Sequence, residues 1–163
     1  MKKLIISSIL LSTILLYVAA ISPQGTNNSG CDIKMLKKEG VAKLNPFYYS
    51  ASKVTSIKYT DTSQIIEIQV PLFKGEKYRM LFNTKALPKD IKIEIYDKDS
   101  ETTNRKAVFT SKTGKDDIIV YEPNKIRKHF VNYVIPAGIN IESGCMVFML
   151  GYQLTFIKEM DEE

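Results

Sequence analysis

Among 163 residues the chain has one histidine, two cysteines and 8 glycines, and beyond residue 20 it has no apolar run long enough to cross a bilayer. Each shortage excludes a class of chemistry. A catalytic triad needs an imidazole beside its nucleophile, and only His129 offers one. It stands in Lys128-His129-Phe130-Val131-Asn132-Tyr133, where alternation groups it with Val131, Tyr133 and Ile135 at the start of a strand. No G-x-S-x-G turn supplies a serine for it. Two cysteines and one distant histidine do not complete a tetrahedral metal shell. The glycines form neither a phosphate-cradling loop nor a dinucleotide fingerprint. Charge is modest too. The net +5 includes Lys2 and Lys3, and residues 158–163 hold one base against four acids, which leaves the body of the chain near +6. That is mild for a nucleic-acid binder.

What is present is most informative at the start. Met1-Lys2-Lys3 is basic, residues 4–20 are apolar apart from small hydroxyls, and Val18-Ala19-Ala20 ends the run on small residues. This is the order of an export signal. We expect a cleaved signal over residues 1–20, a flexible spacer over 21–30, a folded domain over 31–154 and an acidic tail over 155–163. The expected address is the periplasm or the cell exterior, with no membrane span left after cleavage. The alternative is an uncleaved segment holding the protein at the inner membrane, since about seventeen apolar residues is the lower limit for a span. A lipid anchor on Cys31 is disfavoured, because the apolar run ends some ten residues too early. Removing twenty residues leaves 143, one domain by length.

Export bears on the cysteines. In an oxidising compartment the even pair Cys31 and Cys145 reads as a disulfide tying the first element to the last core strand. The alternative is two separate buried thiols.

Residues 31–44 carry the one helical pattern, with Ile33, Leu36, Val41 and Leu44 on the apolar side and Lys34, Lys37, Lys38 and Lys43 mostly elsewhere. Gly40 weakens this helix and Asn45-Pro46 ends it. Thereafter the period becomes two. Residues 54–60 and 65–72 read as a first hairpin around Asp61-Thr62-Ser63. Further strands are expected at 77–84, 91–97, 106–111, 117–121, 128–135 and 145–152, separated by turns such as Lys74-Gly75-Glu76, Pro123-Asn124 and Pro136-Ala137-Gly138. About eight short strands without intervening helices indicate a mostly β protein. We expect an antiparallel two-sheet, jelly-roll-like β-sandwich with one N-terminal helix. Residues 145–150 are apolar on both faces, which suits a central strand.

The run Val70-Pro71-Leu72-Phe73-Lys74-Gly75-Glu76-Lys77-Tyr78-Arg79, the strand at 91–97, and the close from Gly144-Cys145 to Gly151-Tyr152 together resemble a family of small uncharacterised exported proteins of Bacteroidota-type bacteria, over roughly residues 31–152. Residues 74–138 are also similar to the bacterial pre-peptidase C-terminal domain, in which a Gly-turn strand is followed by one ending in Tyr-Asp. That family has acidic residues inside the strand where this chain has Lys92 and Glu94, and it is attached to a peptidase. The resemblances imply an exported sandwich and carry no catalytic motif.

Three stretches are candidates for binding. Phe47-Tyr48-Tyr49 follows the Pro46 turn, and three consecutive rings cannot all face one core, so they offer stacking surface for a sugar or an anchor for a protein. The basic stretch Lys125-Ile126-Arg127-Lys128 offers charge to an acidic glycan or protein face. Asp97, Asp99 and Glu101 have the spacing with which a loop begins to wrap calcium, and Asp116 or Asp117 from a neighbouring loop is the candidate to complete it. Thr102 and Val108 then break the calcium-loop pattern. Glu67, Glu94 and Glu122 read as outward charges rather than a hydrolytic pair.

We therefore expect a non-catalytic binding or structural module of the bacterial envelope, without a cofactor. It presents loop aromatics (Phe47, Tyr48, Tyr49) and bases (Lys125, Arg127, Lys128) to an envelope protein or a glycan, not to nucleic acid. The alternative is a calcium-dependent carbohydrate-binding accessory or a hydrolase working through acidic loops.

Overall fold

Strand pairing turns the alternating segments into two four-stranded antiparallel sheets. The computed structural model describes residues 31–87, 91–112, 116–138 and 143–155. The expected signal, the spacer and nearly all of the acidic tail lie outside the described residues. One helix, α1 (Ile33–Leu44), precedes β1 (Tyr48–Lys58), β2 (Gln64–Val70), β3 (Glu76–Asn83), β4 (Lys92–Tyr96), β5 (Ala107–Lys112), β6 (Ile118–Tyr121), β7 (His129–Ile135) and β8 (Ser143–Leu154). One sheet has the order β1-β8-β3-β6 and the other β2-β7-β4-β5. β1 pairs with β8, β2 with β7, β3 with β6 and β4 with β5. The chain is thus a long hairpin of paired strands wrapped on itself, and the added pairings β3–β8 and β4–β7 close each sheet. This is a jelly-roll order within the antiparallel two-sheet sandwich that the alternation led us to expect.

The core lies between the sheets. Tyr78, Met80 and Phe82 of β3 and Met146, Phe148 and Leu150 of β8 meet Ile93 and Ile95 of β4 and Val131 and Tyr133 of β7. The Phe82 ring centroid is 5.3 Å from Phe148 and 6.3 Å, edge-on, from Tyr133. A smaller cluster of Ile57, Tyr59, Ile91 and Ile135 packs beside it.

The first sheet has a second buried face because α1 lies on it. Leu36 and Leu44 pack on Leu81, Cys145, Val147 and Met149, so β8 is apolar on both faces and central in its sheet. The helix starts at Ile33, since Asp32 is the N-cap and its Oδ1 accepts from the Met35 amide at 2.9 Å. Its buried stripe is Leu36, Gly40 and Leu44, one residue in four. Val41, expected on the inner side, is 46% exposed, and Ile33 is also exposed. The physical reason is contact distance. A Cβ at position 40 would collide with the tip of Met149, lie 2.8 Å from its sulfur and 3.2 Å from Leu81 Cδ2. Gly40 lowers helix propensity by about 1 kcal/mol relative to alanine, but here it lets the helix backbone reach the sheet.

Both ends of α1 are fastened. Cys31, just before the cap, is joined to Cys145 by a disulfide with a Cα–Cα distance of 5.8 Å. At the other end Arg79 Nη1 donates to the carbonyls of Leu44 (3.1 Å) and Asn45 (2.8 Å). Twelve helical residues rise about 18 Å, close to the roughly 20 Å that β8 runs from Cys145 to Gly151. Asn83, fully buried, donates from Nδ2 to the Leu36 carbonyl at 2.9 Å and locks the middle.

The structure corrects the expected first hairpin. β1 and β2 belong to different sheets, and residues 59–63 carry the chain across the sandwich. A period of two reports which face a side chain occupies and not which strand lies alongside. The crossing is held by Gln64 Nε2, which donates to the Lys58 carbonyl at 3.0 Å, and by the Gly138 amide donating to the Thr60 carbonyl at 2.8 Å.

Candidate functional site

Strand direction gathers most candidate residues at one end of the sandwich. β1 and β3 start there, β6 and β8 finish there, and in the other sheet β2 and β4 finish while β5 and β7 start. Residues 45–47, 71–75, 97–106 and 122–128 are therefore neighbours in space although far apart in sequence. Asp116 lies in the β5–β6 connection, at the opposite end.

Phe47, Tyr48 and Tyr49 are not one loop platform. Tyr48 and Tyr49 open strand β1, so their rings point to opposite sides of the sheet. Tyr48, 66% exposed, stands opposite Tyr152 with ring centroids 5.9 Å apart. Tyr49 lies beside Gly151 and its hydroxyl donates to Ser52 Oγ at 2.9 Å. Phe47 is half-buried, and the Arg79 guanidinium sits 4.3 Å from its ring centroid. A β-bulge between Tyr49 and Ala51 leaves Ser50 outside the ladder. Such a residue re-aims its side chain.

Lys125, Arg127 and Lys128 are all exposed on the β6–β7 connection. Arg127 is committed to Asp97, Nη1 to Oδ2 at 3.2 Å, while among the described residues no ion pair engages Lys125 or Lys128. Arg127 also places its carbonyl 2.9 Å from His129 Nδ1, which fixes the neutral tautomer with the proton on that nitrogen.

His129 is buried beside the Tyr121 ring, 6.2 Å away. Burial lowers its pKa below the ordinary 6.5, outweighing the Arg127 carbonyl and the Asp97 charge, which both raise it. A histidine with a depressed folded pKa takes up its proton in the unfolded chain first. The stability it contributes is complete above about pH 6.5 and is lost as pH falls through the folded value. The urea midpoint should stay level from pH 8 to 7 and decline below about 6.5, and a His129→Gln variant should stay level down to about pH 5.5. A wild-type midpoint equally level to that pH would show that the imidazole is not held neutral.

The structure does not bring the calcium candidates together. Asp97 faces Arg127, and Asp99 Oδ1 accepts from the Thr102 amide (3.1 Å) and hydroxyl (2.8 Å). Asp116 is removed by the length of β5, roughly 20 Å. Among the described residues no three His, Cys, Asp or Glu side chains stand close enough to hold a metal.

Two carboxylates do share a row, on the outer face of the second sheet: Glu67, Asn132 and Glu94 lie side by side on β2, β7 and β4. Cations neutralise both. Arg105 Nη2 reaches Glu67 Oε2 at 2.9 Å while its guanidinium lies 4.0 Å from the Tyr96 ring centroid. Lys92 Nζ reaches Glu94 Oε1 at 2.6 Å. With Asn132 turned so that its amide donates to Glu67 (2.8 Å) and accepts from Arg105 (2.9 Å), each member of the row is engaged by a neighbour. Lys92 and the Tyr96 hydroxyl hold the Glu94 carboxyl below its ordinary range against a desolvation that raises it. A general acid needs the reverse shift.

A cleft of about 380 Å³ opens beside Tyr48, between the starts of β1 and β3, the end of β8 and the β2–β3 connection. Ser50, Phe73, Glu76, Tyr78, Tyr152 and Leu154 line it. Phe73 is 68% exposed and Leu154 49%, so one lip and part of the floor are bare hydrocarbon. The Tyr78 hydroxyl accepts from the Phe73 amide at 3.1 Å and donates to Glu76 Oε2, which leaves Oε1 as an acceptor. Burial, and then the neighbouring carboxylate, raise the pKa of Tyr78 and keep it a donor.

Phe73, Glu76 and Tyr152 were not singled out from the sequence. Phe73 alone left a signal, a large ring beside the Lys74-Gly75 turn, where Gly75 adopts φ 92°. No helix among the described residues is long and apolar enough to cross a membrane. No family model matches the chain, and no curated protein does either.

Proposed function

We propose that the chain is a non-catalytic binding module of the bacterial envelope, exported by its N-terminal segment, that engages an envelope protein or glycan at the end of the sandwich where β1 begins. The observation that carries this reading is the cleft, with the exposed ring of Phe73 in its lining, the exposed Tyr48 against its lining residue Tyr152, and Lys125 and Lys128, which no ion pair engages among the described residues, at the same end. Exposed aromatics around a concavity supply contact area with little entropy to lose. The ion-paired Glu67 and Glu94 and the buried His129 favour this reading.

Co-sedimentation of the purified protein with isolated envelope material tests it. A Tyr48→Ala/Phe73→Ala variant is expected to lose at least tenfold in affinity with an unchanged melting temperature, because both rings are more exposed than buried. Equal sedimentation of variant and wild type would remove the cleft from the function.

A further inference from the structure

The cleft has a composition that narrows what enters it, and we infer that it is a subsite for a neutral pyranose of an envelope glycan. This rests on the binding-module reading and deepens it. A sugar ring presents an apolar C–H face and a rim of hydroxyls, so its site needs a flat exposed ring and acceptors at the edge. Phe73 supplies the ring on one lip, and Tyr152, tilted 45° to Tyr48, supplies a second surface across the floor. Glu76 Oε1 and the Ser50 hydroxyl, released from the ladder by the bulge, stand at the rim. A volume of about 380 Å³ holds one sugar ring and part of the next.

Charge selects among sugars. Among the described residues Glu76 is the one charged side chain in the lining and no lysine or arginine joins it, so its carboxylate disfavours a uronate, sulfate or phosphate. An ammonium group is the competing guest for a carboxylate among aromatics. Here one oxygen of the carboxylate is already bound by the Tyr78 hydroxyl, and the rings border an open cleft rather than a box.

Titration of the isotopically labelled protein with four neutral disaccharides (cellobiose, maltose, lactose and N,N′-diacetylchitobiose), with an acidic chondroitin disaccharide and with choline distinguishes these. At least one neutral disaccharide is expected to shift the Phe73, Glu76 and Tyr152 amides saturably at millimolar concentration. Phe73→Ala should weaken this tenfold or more and Glu76→Gln several-fold, with neither changing the melting temperature by more than a few degrees. Saturable shifts from choline or the acidic disaccharide, with none from the four sugars, overturn the neutral-sugar assignment. If no probe shifts these amides while co-sedimentation with envelope still depends on Phe73, the sugar assignment fails and the binding module stands. Loss of both removes the two together.

Discussion

Reduction of the Cys31–Cys145 disulfide is expected to lower the stability of the fold by about 4–5 kcal/mol. The two cysteines are 114 residues apart. A cross-link closing a loop of that length removes a large part of the entropy of the unfolded chain in the chain-entropy model. In the folded state the bridge adds position as well. Cys145 is buried in the helix-side cluster with Leu36, Val147 and Met149, so the bond holds the first turn of α1 over the start of β8. Urea titrations with and without reductant, and of a Cys31→Ala/Cys145→Ala variant, measure the loss. The melting temperature should fall on the order of 15–20 °C. A midpoint indifferent to reductant would show that the bridge contributes nothing beyond packing.

Truncating Arg79 to alanine is expected to cost about 2–4 kcal/mol, the largest effect of any single side chain outside the core. Arg79 reaches five partners at once, the carbonyls of Lys43, Leu44 and Asn45, the Glu122 carboxylate and the Phe47 ring. Its Nη1 donates to the last carbonyls around the helix C-terminus, which no intrahelical amide can satisfy, and its positive charge opposes the negative end of the helix dipole. Its Nε and Nη2 grip Glu122 Oε1 at 2.8 and 2.6 Å, and its plane covers Phe47. Glu122 is half exposed, so Glu122→Gln should lose less than about 1 kcal/mol. Lysine cannot reproduce the fork, and Arg79→Lys should recover less than half of the loss. If Arg79→Ala and Glu122→Gln are equally mild in urea titration, the carbonyl contacts do not hold the helix.

The two anchors show what a single chain lets one read. The disulfide was legible, because two cysteines in a chain headed by an export-like segment leave few alternatives. Arg79 was not, because its role exists only after residues 43–45 and 122 fold towards it. The eight strands were legible from alternation, and β8 as a central strand from its unbroken apolar run. Strand partners were not, and the mistaken hairpin of β1 with β2 follows from that. At the helix, hydrophobicity pointed to Val41, while the contact face is built on Gly40, whose lack of a side chain leaves no mark on an apolar pattern. The site behaves likewise. Phe47, Tyr48 and Tyr49 drew attention as a run of rings, yet Tyr48 joins Tyr152 across a strand pair. The cleft collects side chains from residues 50, 71, 73, 76, 78, 150, 152 and 154, whose sequence order gives no hint of company.

The position of β8 governs when this molecule can exist at all. Among the described residues it is the last strand in the chain, and it is the shared neighbour of β1 and β3. A chain that has emerged only as far as β7 holds β1 and β3 with no common partner and leaves Leu36 and Leu44 only Leu81 of their buried cluster to pack against. Pairings this distant in sequence form in milliseconds to seconds rather than microseconds. The polypeptide therefore stays pliable, with unpaired strand edges, until β8 arrives.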